Sequence, residues 1–272
     1  TFGTTGGIAV PGLLMGIVQI FWHAVFTFSA AQFFMAAIGS SHTENQVVYW
    51  IACAVIGLTM AFVGAVGIGL LGKISSFLPV FPLAAITIAA IANSGGLADF
   101  SDKVVEAKGS LGAINLSMFG ALAMAVGFFA SAGVAGSDFG MNSRDEKDVA
   151  LGGFVGVTCA ALVAGTLAII ALAGAIGNNP EVMNADGDAG PFIQAINQSG
   201  GFLAKASSWV FVIACICPLG FCAFLAANAF STMLPKIPRV PMTMVAGVIG
   251  VILAATGIAG NLVWFFKMVG AA

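Results

Sequence analysis

The chain has 272 residues, of which 60% are hydrophobic and 7% charged, with a net charge of −2 and a mean hydropathy of +1.06. Ordinary globular domains carry about a quarter charged residues, so a water-soluble fold is excluded, and with no basic tract nothing points to nucleic acid. What remains is an all-α polytopic membrane protein. A spanning helix needs roughly 20 mainly apolar residues to cross about 30 Å of hydrocarbon, and seven stretches here are that long.

In chain order the expected spans are Val10–Ile38, Val47–Leu71, Ser76–Asn93, Ala113–Ser137, Ala150–Ile176, Leu203–Met233 and Met242–Phe266, forming one transmembrane domain over residues 1–272. All eleven acidic residues fall between these stretches or at their ends, as the cost of a carboxylate at mid-bilayer demands. The runs are continuous, whereas barrel strands alternate over about 10 residues. A helix also satisfies its own backbone hydrogen bonds in hydrocarbon.

The first span, with Pro11 expected in its opening turn, carries "QIFWHAVFTF" from Gln19 to Phe28. At 3.6 residues per turn Gln19, Trp22 and Phe26 share a face, with His23 about 100° from Trp22. A glutamine at mid-membrane must find a partner, either a neighbouring helix or a ligand. His23 admits two readings, a neutral imidazole bonded within the bundle and a proton carrier, since imidazole titrates near neutral pH.

The second span closes on "GIGLLG" (Gly67–Gly72), which matches a dinucleotide fingerprint but lacks its strand-to-helix setting. Pro79 and Pro82 fall inside the third span and Pro218 inside the sixth, each removing an N–H and freeing a carbonyl. Such breaks build ion and substrate sites in transporters, or simply kink packing helices. The connection Ser94–Gly112 mixes charged and apolar residues as a short interfacial helix does. The fourth span ends in "VGFFASAGVAGSDFG" (Val126–Gly140), where Phe128 and Phe129 interrupt a Gly/Ala/Ser-rich helix beside Ser131. One aromatic from each of two spans, with an amide and a hydroxyl on the rim, makes a slot for a flat ring with polar edges.

In the fifth span Gly152 and Gly156 form a small-xxx-small pair suited to close helix packing. The loop "NADGDAG" has acidic residues at alternate positions like a calcium loop, but Ala195 stands where the late glutamate belongs, so it reads as a solvated loop without metal. The five cysteines lie inside spans, as small apolar packing residues. No catalytic set of side chains occurs in a suitable context, so no enzyme is expected. Lys73, Arg144, Lys147, Lys236 and Arg239 fall on one side; Lys103, Lys108, Lys205 and Lys267 fall on the other. Both arginines are on the first side, which is read as cytoplasmic.

The segment Thr1–Ala30, "TFGTTGGIAVPGLLMGIVQIFWHAVFTFSA", resembles the third span and preceding loop of the nucleobase:cation symporter-1 family, and "GFFASAGVAGSDFG" resembles its sixth. The cytosine-permease branch is the nearest, and the resemblance runs over essentially the whole chain as spans three to nine of twelve, a fragment without the first two spans and the last ones. It implies part of a leucine-transporter-type inverted-repeat fold in a bacterial inner membrane, moving a nucleobase or related heteroaromatic with a cation by alternating access. On this resemblance Trp22 is the stacking tryptophan, Gln19 a substrate-site glutamine, Phe129 the opposing aromatic and Ser131 a polar contact. Gly127 and Gly133 ease the break in that helix, and His23 and Pro218 serve coupling and gating.

The chain also departs from the family. Cys215 stands at the branch's substrate-binding Asn, and Pro218-Leu219 replaces its Thr-Thr sodium ligands. Met141 replaces an Arg, with Arg144 close behind. The coupling ion is therefore sodium held by carbonyls that Pro218 frees, or a proton on His23; no other cofactor is expected. The expected partners are a small heteroaromatic substrate and the lipid bilayer, with oligomeric state left open. Two other readings stand beside this one. A channel or facilitator is disfavoured by the scarcity of intramembrane charge; a non-transporting fragment would follow from the missing spans.

Overall fold

The computed structural model describes residues 3–108, 136, 140, 143–185 and 190–261. Among them the regular elements are all helical, with no strand. Helix α1 covers Gly3–Ile38, α2 Gln46–Val66, α3 Ile68–Ser75, α4 Val80–Asn93 and α5 Phe100–Lys108. Helix α6 runs Glu146–Asn178, α7 Gly190–Asn197, α8 Gly201–Ala214, α9 Ile216–Met233 and α10 Arg239–Ala255. Five stretches are long and apolar enough to cross a membrane: Ile8–Ile38, Gln46–Val66, Leu71–Ala98, Glu146–Asn178 and Gly201–Met233; α10 is a shorter apolar helix. Their outward side chains are apolar, among them Ile51, Val55, Phe62, Val66, Ile91, Leu162 and Ile169. Apolar surface on that scale belongs against lipid. The chain is an all-α membrane protein.

Several span boundaries differ from those read in the sequence, each for a local reason. Helix α1 starts seven residues before Val10, so Pro11 lies inside it rather than in its first turn. The second span stops at Val66 because Gly67 adopts φ +141°, a conformation open to glycine, and the chain resumes as α3. Pro79 directly precedes α4 and Pro82 is its third residue. Both therefore occupy positions whose N–H groups have no intrahelical partner anyway, and neither frees a carbonyl. The last span ends at Ala255, eleven residues short of Phe266, where Gly257 turns left-handed at φ +78°. The fourth expected span lies outside the described residues, apart from Gly136.

Helix α6 begins on Asp145, whose carboxylate accepts the Asp148 N–H at 2.9 Å, as an N-cap does. Its Gly152–Cys159 stretch is π-helical. A Cβ placed on Gly152 or Gly156 would have no atom within 4 Å, so the small pair expected to pack against a neighbour meets none among the described residues.

The chain divides into two compact units, one comprising Thr1–Pro82 and Lys205–Phe265, the other chiefly Leu83–Ala204. In the first, α1, α2, α9 and α10 all pack on one another. Helix α9 is the most enclosed, with Leu219, Gly220 and the run Cys222–Ala227 buried. Small residues allow the approach: a Cβ on Gly64 of α2 would stand 2.7 Å from Ala223 Cβ and 2.9 Å from the Phe224 nitrogen, and one on Gly247 of α10 2.5 Å from Ala61 Cβ. Close backbones replace the hydrophobic drive that lipid cannot supply. In the second unit α4 meets α6 through Ala89, Ala90 and Ala171, with Leu167 and Ile170 packed around them. Asn93 ends α4 buried, its amide donating to the carbonyls of Ala89 at 2.8 Å and Ala195 at 3.0 Å.

Candidate functional site

Gln19, Trp22 and His23 lie midway along α1 and face the interior of the first unit, with 3%, 6% and 2% of their surfaces exposed. The Trp22 ring stacks on Phe26 one turn on, with centroids 5.7 Å apart and planes 26° from parallel. The helical period thus sets Gln19, Trp22 and Phe26 along one face, as the sequence implies. Cys215 is buried at the single-residue break between α8 and α9, and Pro218 follows it. Having no N–H, Pro218 leaves the Ala214 carbonyl without its helical donor. Gly127, Phe129, Ser131 and Gly133 lie outside the described residues.

His23 is the hub of the four-helix packing. Its Nδ1 lies 3.3 Å from the Leu219 carbonyl of α9. A carbonyl can only accept, so Nδ1 carries the ring proton and Nε2 is a bare lone pair. Among the described residues Nε2 is buried without a hydrogen-bond partner; a nearby polar group is the Gly57 backbone of α2. Gly250 of α10 closes the fourth side, and a Cβ there would stand 2.8 Å from the ring's Cδ2. One turn further along α1, Thr27 returns its hydroxyl to the His23 carbonyl at 2.8 Å.

Gln19 is worse provided for. Among the described residues the one hydrogen bond of its amide is a 3.9 Å donation to the Met15 sulfur on its own helix, a weak acceptor. Beside it lies a cavity of about 10 Å³ lined by Gln19, Ile20, His23, Ala223, Ala226, Thr243, Ala246 and Gly247. That is room for about one water molecule, far below the ~300 Å³ of a small-molecule pocket. Thr243 is fully enclosed there, its hydroxyl donating to the Arg239 carbonyl at 2.8 Å.

The structure therefore brings together Gln19 and His23, and sets His23 against the turn of α9 that follows Pro218. Thr27, Gly57, Thr243, Gly247 and Gly250 join them and were not singled out in the sequence. A signal existed for some: Thr27 is one turn from His23, and Thr243 is an isolated hydroxyl entering an apolar run. No group of three or more His, Cys, Asp or Glu among the described residues could hold a metal ion. Comparison with protein-family models, curated proteins and solved structures finds no match.

Proposed function

We propose that this chain is the substrate-handling part of a secondary transporter of the cell membrane, of the nucleobase:cation symporter type, moving a nucleobase or related small heteroaromatic by alternating access. The observation that carries this reading is Gln19: an amide midway along a membrane-spanning helix whose carbonyl and second N–H have no hydrogen-bond partner among the described residues. Buried polar groups are normally satisfied, and a ring with polar edges satisfies this one. In this reading, carried over from the family resemblance, Trp22 is the stacking residue, with Phe129 as the second aromatic and Ser131 and Cys215 as polar contacts.

The small volume beside Gln19 corresponds to a closed arrangement, and admitting a ring requires α1 to part from α9 and α10. In this reading the break at Pro218 is a hinge of that motion, and the family resemblance assigns Gly127 and Gly133 the same role. His23 is the coupling group: a proton added to Nε2 makes the ring a donor on both sides, tying α1 to α2 as well as to α9. The fold in this reading is part of a leucine-transporter-type inverted repeat.

The test is binding to the membrane-reconstituted chain, screened over purines, pyrimidines and hydantoins with and without sodium and at two pH values. Saturable binding of one class, dependent on sodium or on pH, supports the reading. Absence of binding by every class under all conditions refutes it.

A further inference from the structure

A second cavity lies well away from Gln19, where the C-terminal end of α10 meets the start of α2. It measures about 430 Å³ and is lined by Phe28, His42, Thr43, Gln46, Tyr49 and the turn Ala255–Gly257. That volume is in the range that encloses small ligands. Its frame is rigid. Tyr49 donates its hydroxyl to the Ala254 carbonyl at 3.0 Å, and the neighbouring Trp50 donates its indole N–H to the Ala255 carbonyl at 3.1 Å. Two consecutive aromatics thus cap two consecutive carbonyls at the end of α10. The Phe28 ring meets Tyr49 edge-on, with centroids 6.4 Å apart.

The polar groups that remain define what fits. The amide nitrogen of Gln32 lies 3.2 Å from His42 Nδ1. An amide nitrogen only donates, so Nδ1 accepts and the ring proton sits on Nε2, leaving His42 an N–H donor without a partner among the described residues. Gln46, exposed in the first turn of α2, has an amide that both donates and accepts and has no partner among them either. No lysine or arginine among the described residues lines the cavity. The C-terminal end of α10 carries partial negative charge into it, which disfavours anions.

The geometry points to a second binding site, for a neutral planar heteroaromatic bearing a ring acceptor and an exocyclic amine, held between His42 Nε2–H and the Gln46 amide in the cavity that the largely buried Tyr49 and Phe28 help to wall. The two sites are independent: this one shares no lining residue with the cavity at Gln19 and stands whether or not the deep site binds.

The experiment uses the full chain carrying Trp22→Ala, which removes the stacking face of the deep site, and calorimetric titration with cytosine and, as a flat anion, benzoate. Cytosine is expected to bind saturably at one site per chain, with benzoate at least 10-fold weaker. On the same background His42→Ala and Gln46→Ala are each expected to weaken cytosine roughly 3- to 10-fold, the worth of one neutral hydrogen bond. Gln46 is exposed, so its truncation reads the site even where loss of His42 disturbs the loop. No saturable cytosine binding in the Trp22→Ala chain, equal binding of benzoate, or unchanged affinity in Gln46→Ala overturns the assignment. Cytosine binding by the unsubstituted chain that disappears in Trp22→Ala overturns this site and leaves the deep one standing, whereas binding that survives Trp22→Ala and weakens in Gln46→Ala supports this site whatever the deep one does.

Discussion

Replacing Gly250 by alanine probes the packing of His23 directly. The added methyl would stand 2.8 Å from His23 Cδ2 and 3.5 Å from the Ile20 carbonyl oxygen, where carbon atoms settle at about 3.5–4.0 Å. The ring must retreat by about 0.7–1.2 Å, yet Nδ1 is bonded to Leu219 on one side and the Gly57 backbone stands near on another. Overpacking of this kind costs about 1–3 kcal/mol, against about 1 kcal/mol gained when alanine replaces glycine in a helix. The net loss is therefore about 0–2 kcal/mol, and the cleaner quantity is the coupling. In a His23→Ala background the methyl has room, so a double-mutant cycle should show about 1–3 kcal/mol of interaction between the two sites. Reversible unfolding in mixed detergent and lipid micelles, followed by circular dichroism, measures it. Additive effects within about 0.5 kcal/mol would refute the placement of His23 against α10.

Other substitutions extend the account. Gly64→Ala drives a methyl into the α9 backbone at Gly220 and Phe224, which cannot step aside as a side chain can; it should cost more than 3 kcal/mol, at the upper end of overpacking, in the same unfolding assay. Gly165→Ala in α6 meets nothing within 4 Å and should instead stabilise by about 0.5–1 kcal/mol. Asn93→Ala removes two donations from a buried amide and should destabilise by about 1–3 kcal/mol, seen as a lowered unfolding midpoint. His23→Asn keeps a donor for the Leu219 carbonyl but cannot carry a proton; in proteoliposomes it should bind substrate yet lose uptake driven by a pH gradient. Uptake that still follows the gradient would assign coupling elsewhere.

What the sequence made legible follows the periodicities it contains. Continuous apolar runs located the spans, and the 3.6-residue period put Gln19, Trp22 and Phe26 on one face. Local backbone chemistry was harder to read. Gly67 and Gly257 end helices inside apolar runs, because a single left-handed or extended glycine leaves hydropathy unchanged. Pro79 and Pro82 looked like breaks until α4 was seen to begin beside them. The surroundings of His23 were illegible for a different reason. Gly57, Leu219 and Gly250 lie on three other helices, and only tertiary packing makes them neighbours. The Tyr49 and Trp50 clamp on α10 was likewise hidden, since its acceptors are backbone carbonyls about two hundred residues away.

Affinity of the Gln19→Leu chain for the tightest heteroaromatic found in the screen addresses the central claim most directly. Leucine fills a similar volume but leaves the ring's polar edge unpaired in an apolar site, a loss of about 1–3 kcal/mol. The account predicts binding weakened at least 5-fold, with Gln198→Leu, whose amide donates to the Ala175 carbonyl within the second unit, binding as the parent does. Equal affinity in the parent and Gln19→Leu chains would contradict it.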